Sequence, residues 1–204
     1  MKKTIFIAAA LALSVTAAAA QSAPTADPAK VDALVKSMFK SVSPEWQART
    51  VLDDAQRLCT ETRNQPSAQQ ADELQKKELA GVVYPADGKY LGDWKKGFQV
   101  ANTGTGGQFS DRPGGPVGGN CYACHQMDPK ELSYGTLGPS LAGYGKDRNY
   151  DPQAIKDAWT KIYNSQAVLA CSNMPRFGAT KFLNEAQLKD VMAYLFDKDS
   201  PVNK

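Results

Sequence analysis

Cys121-Tyr122-Ala123-Cys124-His125 carries the strongest structural signal in this chain of 204 residues. It places two thiols three positions apart and a histidine directly after the second thiol. Each thiol can add to one vinyl group of a haem as a thioether, and the adjacent imidazole can then bind the iron. The pattern therefore predicts one covalent haem c on Cys121 and Cys124, with His125 as an axial ligand of the iron.

Two other uses of a Cys-x-x-Cys pair fit the rest of the sequence less well. A structural zinc site needs two further Cys or His ligands, and outside the motif the chain has no histidine and only Cys59 and Cys171. A thioredoxin-like redox pair needs a preceding strand and alternating strand and helix patterns, which are not visible around the motif. The sequence favours haem attachment.

The second axial ligand must be something other than histidine, because His125 is the only histidine. Met127 follows His125 too closely to reach the opposite face of a porphyrin. Met174 lies in a non-helical stretch in which Pro175 fixes the backbone, so it is the predicted ligand; the alternative is a methionine that only packs in a loop. The methionines that lie in apolar stripes at helical spacing, and are therefore expected in the core, are Met38 and Met192.

The first twenty residues have the form of a secretory signal peptide. Lys2 and Lys3 precede an apolar run over residues 5–15, and Ala18-Ala19-Ala20 has the small side chains of a cleavage site. The run is too short to span a membrane, so we expect an exported, soluble protein with no membrane insertion, periplasmic in a Gram-negative source. Once Lys2 and Lys3 are removed, 22 basic and 21 acidic residues remain, a balance that does not indicate a nucleic-acid partner.

The remaining chain is expected to be all-α, with a helical N-terminal extension over residues 21–88 and a haem domain over residues 89–204. In the extension, an apolar stripe predicts a helix over 28–42, and Ser43-Pro44 predicts the start of one over 44–61. A capping box at Ser67 and Gln70 predicts a third helix over 67–81. In the haem domain they predict a short helix over 93–101 and a longer one over 188–196. Gly97 on the first would allow the second to approach closely, with Tyr194 or Phe196 over it.

Several of these segments, in this order, resemble class I cytochrome c: Gly97-Phe98, the Cys121 to His125 motif, Gly138-Pro139-x-Leu141, Met174-Pro175-x-Phe177-Gly178 and an aromatic C-terminal helix. Pro139, Leu141 and Phe177 are accordingly expected to contact the haem. A carbonyl of the Gly138 to Leu141 turn can fix the His125 ring, and Leu141 can cover the proximal haem face. More narrowly, residues 119–125 and 171–178 resemble SoxX proteins, the monohaem subunits of SoxAX sulfur-oxidation cytochromes.

That narrower resemblance implies an electron-transfer subunit of an enzyme (SoxAX, an L-cysteine S-thiosulfotransferase), not its catalytic centre. SoxAX joins thiosulfate oxidatively to a cysteine of the carrier SoxYZ. The implied partners are a SoxA-type haem subunit in a heterodimer, and in transient contact the carrier and a soluble cytochrome acceptor. The alternatives are a free-standing periplasmic carrier to a terminal oxidase, catalysis or gas sensing at a haem with a labile Met174 bond, and a purely structural subunit.

Two cysteines remain after haem attachment. Because an exported protein meets an oxidising compartment, Cys59 and Cys171 are predicted to form a disulfide. The open alternative is a free Cys171 thiolate that binds iron or carries sulfur, which would leave Cys59 as an odd thiol. The candidates for haem propionate contacts, chosen only by proximity to the motifs, are Tyr150, Trp159, Tyr163 and Arg176.

Overall fold

The computed structural model describes residues 27–108, 110–112 and 114–204, and within these ranges all regular structure is helical. The predicted all-α fold is therefore confirmed, while the predicted signal peptide of residues 1–20 lies outside the described residues. The α-helices are α1 (Pro28–Met38), α2 (Pro44–Gln47), α3 (Asp54–Glu61), α4 (Ala68–Ala80), α5 (Trp94–Asn102), α6 (Tyr144–Asp147), α7 (Pro152–Tyr163) and α8 (Glu185–Phe196). Short 3-10 turns occur at Ala48–Thr50, Cys121–Ala123, Ser165–Ala167 and Pro201–Asn203.

The predicted helix over 44–61 is wrong as a single element. It is interrupted after the turn Ala48–Thr50, and α3 begins only at Asp54. Asp53 is the cause, because its side chain accepts a hydrogen bond from the Gln56 amide (2.9 Å) and its own amide donates to Gln56 Oε1 (3.0 Å). This reciprocal capping box satisfies orphan backbone donors and starts a new helix. The corresponding box at Ser67 and Gln70, which opens α4, was predicted and is present.

Helix α1 ends at Met38 and does not contribute to a core. The apolar stripe of this segment predicted burial, but none of its residues is buried and Met38 is 67% exposed. A salt bridge between Asp32 and Arg57 of α3 (3.1 Å) connects α1 to the rest of the extension. The expectation that Met38 lies in the core is therefore wrong.

The centre of the molecule is the crossing of α5 and α8. Gly97 makes this crossing possible, because a Cβ atom at this position would lie 2.0 Å from the Asp190 carbonyl oxygen and 2.8 Å from Tyr194 Cβ. The Phe98 ring meets Tyr194 edge to face, with centroids 5.7 Å apart. Met192 is fully buried on α8, as predicted. Helices α6 and α7 complete the core against α8.

The extension is joined to the remainder of the chain by side-chain contacts and by a covalent bond. Gln75 of α4 donates to the Val168 carbonyl (2.7 Å), and the Trp159 indole N–H donates to the Val83 carbonyl (3.0 Å). Cys59 of α3 forms a disulfide with Cys171, with a Cα–Cα distance of 5.4 Å. The predicted disulfide is thus confirmed, and a free Cys171 thiolate is excluded. Among the described residues no helix is both long and apolar enough to span a bilayer.

Candidate haem site

The Cys-x-x-Cys-His motif forms one tight turn after α5. Asn120 enters it in the left-handed region (φ 49°), and its amide donates to the Thr103 carbonyl (3.0 Å). The amides of Cys124 and His125 both donate to the Cys121 carbonyl, at 3.0 and 2.9 Å. The two thiols and the imidazole are therefore held within a single turn, as covalent haem attachment requires.

A second loop, residues 135–141, is joined to this turn by backbone hydrogen bonds. The Gly138 amide donates to the Cys124 carbonyl (2.8 Å), and the Leu141 amide donates to the Gln126 carbonyl (2.8 Å). His125 Nδ1 lies 2.7 Å from the Pro139 carbonyl oxygen. Because a carbonyl only accepts, Nδ1 is the donor, and Nε2 keeps a lone pair for a metal. The predicted hydrogen bond from this turn to His125 is present.

Gly138 is set against the imidazole so closely that no side chain fits. A Cβ atom at position 138 would lie 2.1 Å from His125 Cε1 and 2.5 Å from Nδ1. The ring is therefore held from one side by backbone packing and at one atom by the Pro139 carbonyl.

An apolar cavity of about 260 Å³ opens beside this motif and brings together most of the predicted site residues. His125 and Met174, which come from separate parts of the chain, both line it, and so does Cys121. Cys124 does not line the cavity but lies in the same turn. The remaining lining side chains are mainly apolar: Met127, Pro139, Leu141, Tyr144, Ala158, Ile162, Phe177, Leu183, Val191 and Leu195.

Met174 is presented by the segment that follows α7. The Ser165 hydroxyl donates to the Met174 carbonyl, and the Met174 amide donates to Ser172 Oγ (3.3 Å). Phe177 is buried just beyond, and the Gly178 amide donates to the Tyr163 carbonyl (3.0 Å). Met127 also lines the cavity, so two methionines lie against the same space. Only Met174 is far enough from His125 in sequence to approach a planar group independently.

The chemistry of the Cys121 thiol also distinguishes the site from a redox pair. Burial raises the pKa of Cys121 to about 12, whereas the nucleophilic cysteine of a thiol–disulfide oxidoreductase has a depressed pKa. Neither Cys121 nor Cys124 is in a disulfide. In the described part of the chain, no group of three or more His, Cys, Asp and Glu side chains is arranged to hold a metal ion.

Two cationic side chains that the sequence reasoning missed line the cavity, Arg148 and Lys161. The Arg148 guanidinium stacks on the Tyr144 ring, 3.6 Å from its centroid. Lys161 is partly buried, and burial lowers its pKa. None of the propionate candidates named from the sequence, Tyr150, Trp159, Tyr163 and Arg176, lines this cavity. The pattern Asp151-Pro152, an N-cap followed by proline, could have predicted α7, the helix that carries Lys161.

Taken together, a Cys-x-x-Cys-His turn, an oriented imidazole and a distant methionine on one apolar cavity fit a c-type haem and define a haem protein of the electron-transfer class. Comparison with known proteins agrees. The family model described as Cytochrome c matches residues 95–197. A protein of Aquifex aeolicus (strain VF5) named "Uncharacterized lipoprotein" is 34% identical over 178 residues, which cover 86% of this chain and 84% of that relative.

The chain belongs to the cytochrome c family. Its cofactor is accordingly a covalently bound haem c, and its activity is electron transfer. The family match begins at residue 95 and so leaves the extension, with α1 to α4, outside it.

Proposed function

We propose that this chain is the monohaem electron-transfer subunit of a SoxAX-type complex in thiosulfate oxidation. It would accept electrons one at a time from a SoxA-type haem subunit and pass them to a soluble cytochrome. The observation that carries the electron-transfer role is that His125 and Met174 line one apolar cavity. A bound haem would supply a reversible one-electron couple, and ligation by both His125 and Met174 would leave its iron no open position for a substrate.

The residues around the cavity have distinct roles in this proposal. The Pro139 carbonyl holds Nδ1 of His125, so Nε2 would be free to bind the iron in a fixed orientation. Leu141, Ile162 and Phe177 would keep water from the haem, and a dry environment would favour the less charged reduced iron. Arg148 and Lys161 would pair with the propionates.

Exposed apolar side chains in the haem-attachment turn and in the segment that follows it support a partner role. We call the side chains of Tyr122, Leu132, Tyr134 and Leu137 the motif-side patch; Leu132 is fully exposed and Leu137 is 72% exposed. The Gly135 amide donates to the Tyr122 carbonyl (2.9 Å). This hydrogen bond brings the chain around residue 135 back to the haem-attachment turn. With nearly balanced charge, docking would depend on such an apolar patch more than on long-range attraction.

Export to an oxidising compartment is part of the proposal. The Cys59–Cys171 disulfide supports it, because structural disulfides persist mainly outside the cytosol. The name of the Aquifex relative, a lipoprotein, is also in keeping with export.

The axial-ligand assignment is tested with a matched pair of volume-conserving substitutions, Met174→Leu and Met127→Leu. Both side chains line the cavity, and Leu replaces Met with little change in packing. In Met174→Leu we expect covalent haem to remain, the near-infrared methionine-to-iron band of the oxidised protein to vanish, and carbon monoxide to bind the reduced protein. Met127→Leu should keep the band. Loss of the band in Met127→Leu alone would overturn the assignment.

The partner role is tested by co-purification of the full-length holoprotein with a SoxA-type subunit. Leu137→Asp places a charge in the motif-side patch, while Leu34→Asp places one at an exposed site on α1 and serves as the control. We expect only Leu137→Asp to weaken the complex. A wild-type chain that stays monomeric with that subunit, yet carries electrons from a dehydrogenase to an oxidase, would instead be a free-standing carrier.

A further inference from the structure

The segment that presents Met174 forms a wall between two cavities. On one side is the haem cavity; on the other is a second cavity of about 390 Å³, which lies between α3 and residues 171–176 and is open to solvent. Met174 lines both. The second cavity is bordered largely by polar side chains: Gln56, Thr60, Asn64, Gln166, Ser172, Asn173 and Arg176. Residues 172–175 therefore have no close-packed side chains of α3 behind them.

With little packing behind it, the segment depends on tethers at its two ends. At one end, Cys171 is joined to Cys59 of α3. At the other end, the Arg176 guanidinium forms a salt bridge with Asp53 and lies 3.8 Å from a Glu78 carboxylate oxygen. All three tethering partners, Asp53, Cys59 and Glu78, belong to the extension. Arg176 and Glu78 each expose only 15% of their side chains, so water screens this pair weakly.

Glu78 also reaches the inner side of the same segment. The Asn164 amide group donates to Glu78 Oε2 (2.7 Å), and Asn164 precedes the serine whose hydroxyl donates to the Met174 carbonyl. Thus one carboxylate of α4 is linked both to Arg176, two residues after Met174, and to the turn that bonds the Met174 backbone.

We infer that the N-terminal extension is a clamp that positions the methionine ligand, with Arg176 as its positioning residue. The inference rests on the proposed ligation by Met174. A loop held at both ends has less conformational freedom to lose when its thioether binds iron, so the tethers favour the bound form. Removing them increases the fraction of molecules in which the methionine is off the iron.

The test uses full-length holoprotein with substitutions that remove charge but preserve local structure. Asp53→Asn keeps an N-cap residue on α3 and removes the anion that pairs with Arg176. Arg176→Gln removes the guanidinium, and Arg176→Lys restores the charge. Lys77→Gln is the control, because it breaks an ion pair between α4 and Asp54 of α3 that does not touch the methionine segment. The readouts are the near-infrared methionine band and the rate at which reduced protein binds carbon monoxide.

We expect Arg176→Gln and Asp53→Asn to raise the carbon monoxide binding rate about fivefold. A partly exposed ion pair can change the equilibrium between bound and released methionine by about this factor. In Arg176→Lys the binding rate should lie close to that of the wild type, and in Lys77→Gln it should equal the wild-type rate. If Arg176→Gln folds with an unchanged binding rate and band, the clamp is wrong although Met174 remains the ligand. If the wild type lacks the band, the axial assignment itself fails.

Discussion

A single carbonyl oxygen, that of Pro139, decides how the ring of His125 is oriented. Without it the imidazole could rotate about its last torsion and present either nitrogen to the cavity. The 2.7 Å contact fixes Nδ1 as the donor, and Gly138 allows the loop to come close enough for that contact. The ring is thereby held in one orientation, which lowers the cost of binding iron.

Gly138→Ala should therefore disturb the haem site directly. The added Cβ would overlap the imidazole, so the ring or the loop must move, and the hydrogen bond to Pro139 would lengthen. We expect a lower yield of holoprotein and a shifted midpoint potential. Gly81→Ala is the control, since its Cβ meets no atom nearer than 3.5 Å. Equal yields and potentials in the two variants would contradict this role of Gly138.

At this scale the sequence predicted which residues would hold a haem, but it did not predict the two cations that line the cavity. The motif itself identifies Cys121, Cys124 and His125, because haem attachment dictates a fixed local spacing. Arg148 and Lys161 were missed because they reach the cavity only through the folding of α6 and α7 against α8. No local pattern records such a contact between distant segments.

Among the elements, the crossing of α5 and α8 positions the haem-attachment turn. The Gly119 amide, just before the turn, donates to the Val100 carbonyl in α5 (2.8 Å), so a shift of α5 would move the motif. Gly97 sets the distance between the two helices, because its missing side chain leaves room for the Asp190 backbone.

Gly97→Ala should separate these helices and destabilise the whole domain. A Cβ 2.0 Å from a carbonyl oxygen cannot be accommodated by rotating a side chain, so we expect a loss of about 1–3 kcal/mol in the free energy of unfolding. Chemical denaturation of the holoprotein measures it. Lys96→Ala, at the exposed neighbouring position on α5, should change stability little. A Gly97→Ala variant as stable as wild type would refute the close-crossing argument.

The elements were predictable where local signals agreed. The capping pair Ser67 and Gln70 predicts the start of α4, and Gly97 predicts a close contact between two helices. The interruption before α3 was missed because only the start signal at Ser43-Pro44 was used for this segment, although Asp53 followed three residues later by Gln56 is itself an N-terminal signature. The exposure of α1 had no such signal, since its stripe is the same whether or not a partner covers it.

For the molecule as a whole, the disulfide is the covalent link between the extension and the segment before Met174. Cys59 and Cys171 are 112 positions apart, so the bond closes a very long loop of the unfolded chain. In the chain-entropy model, a loop of this length corresponds to about 4–5 kcal/mol of stability. The pairing was predictable from the sequence because haem attachment leaves only these two cysteines.

We expect the double variant Cys59→Ser, Cys171→Ser to lose up to about 4–5 kcal/mol in the free energy of unfolding, because its unfolded chain regains the freedom that the bond removes. Denaturant titration of the holoproteins gives the difference, and comparison with Lys77→Gln shows what a surface contact of the extension contributes. Wild-type holoprotein, unfolded without reductant, should contain no titratable thiol, since all four cysteines are in bonds to haem or to each other. Two free thiols would show that Cys59 and Cys171 are not paired. The extension would then be held by noncovalent contacts alone, and removing both cysteines would leave stability unchanged.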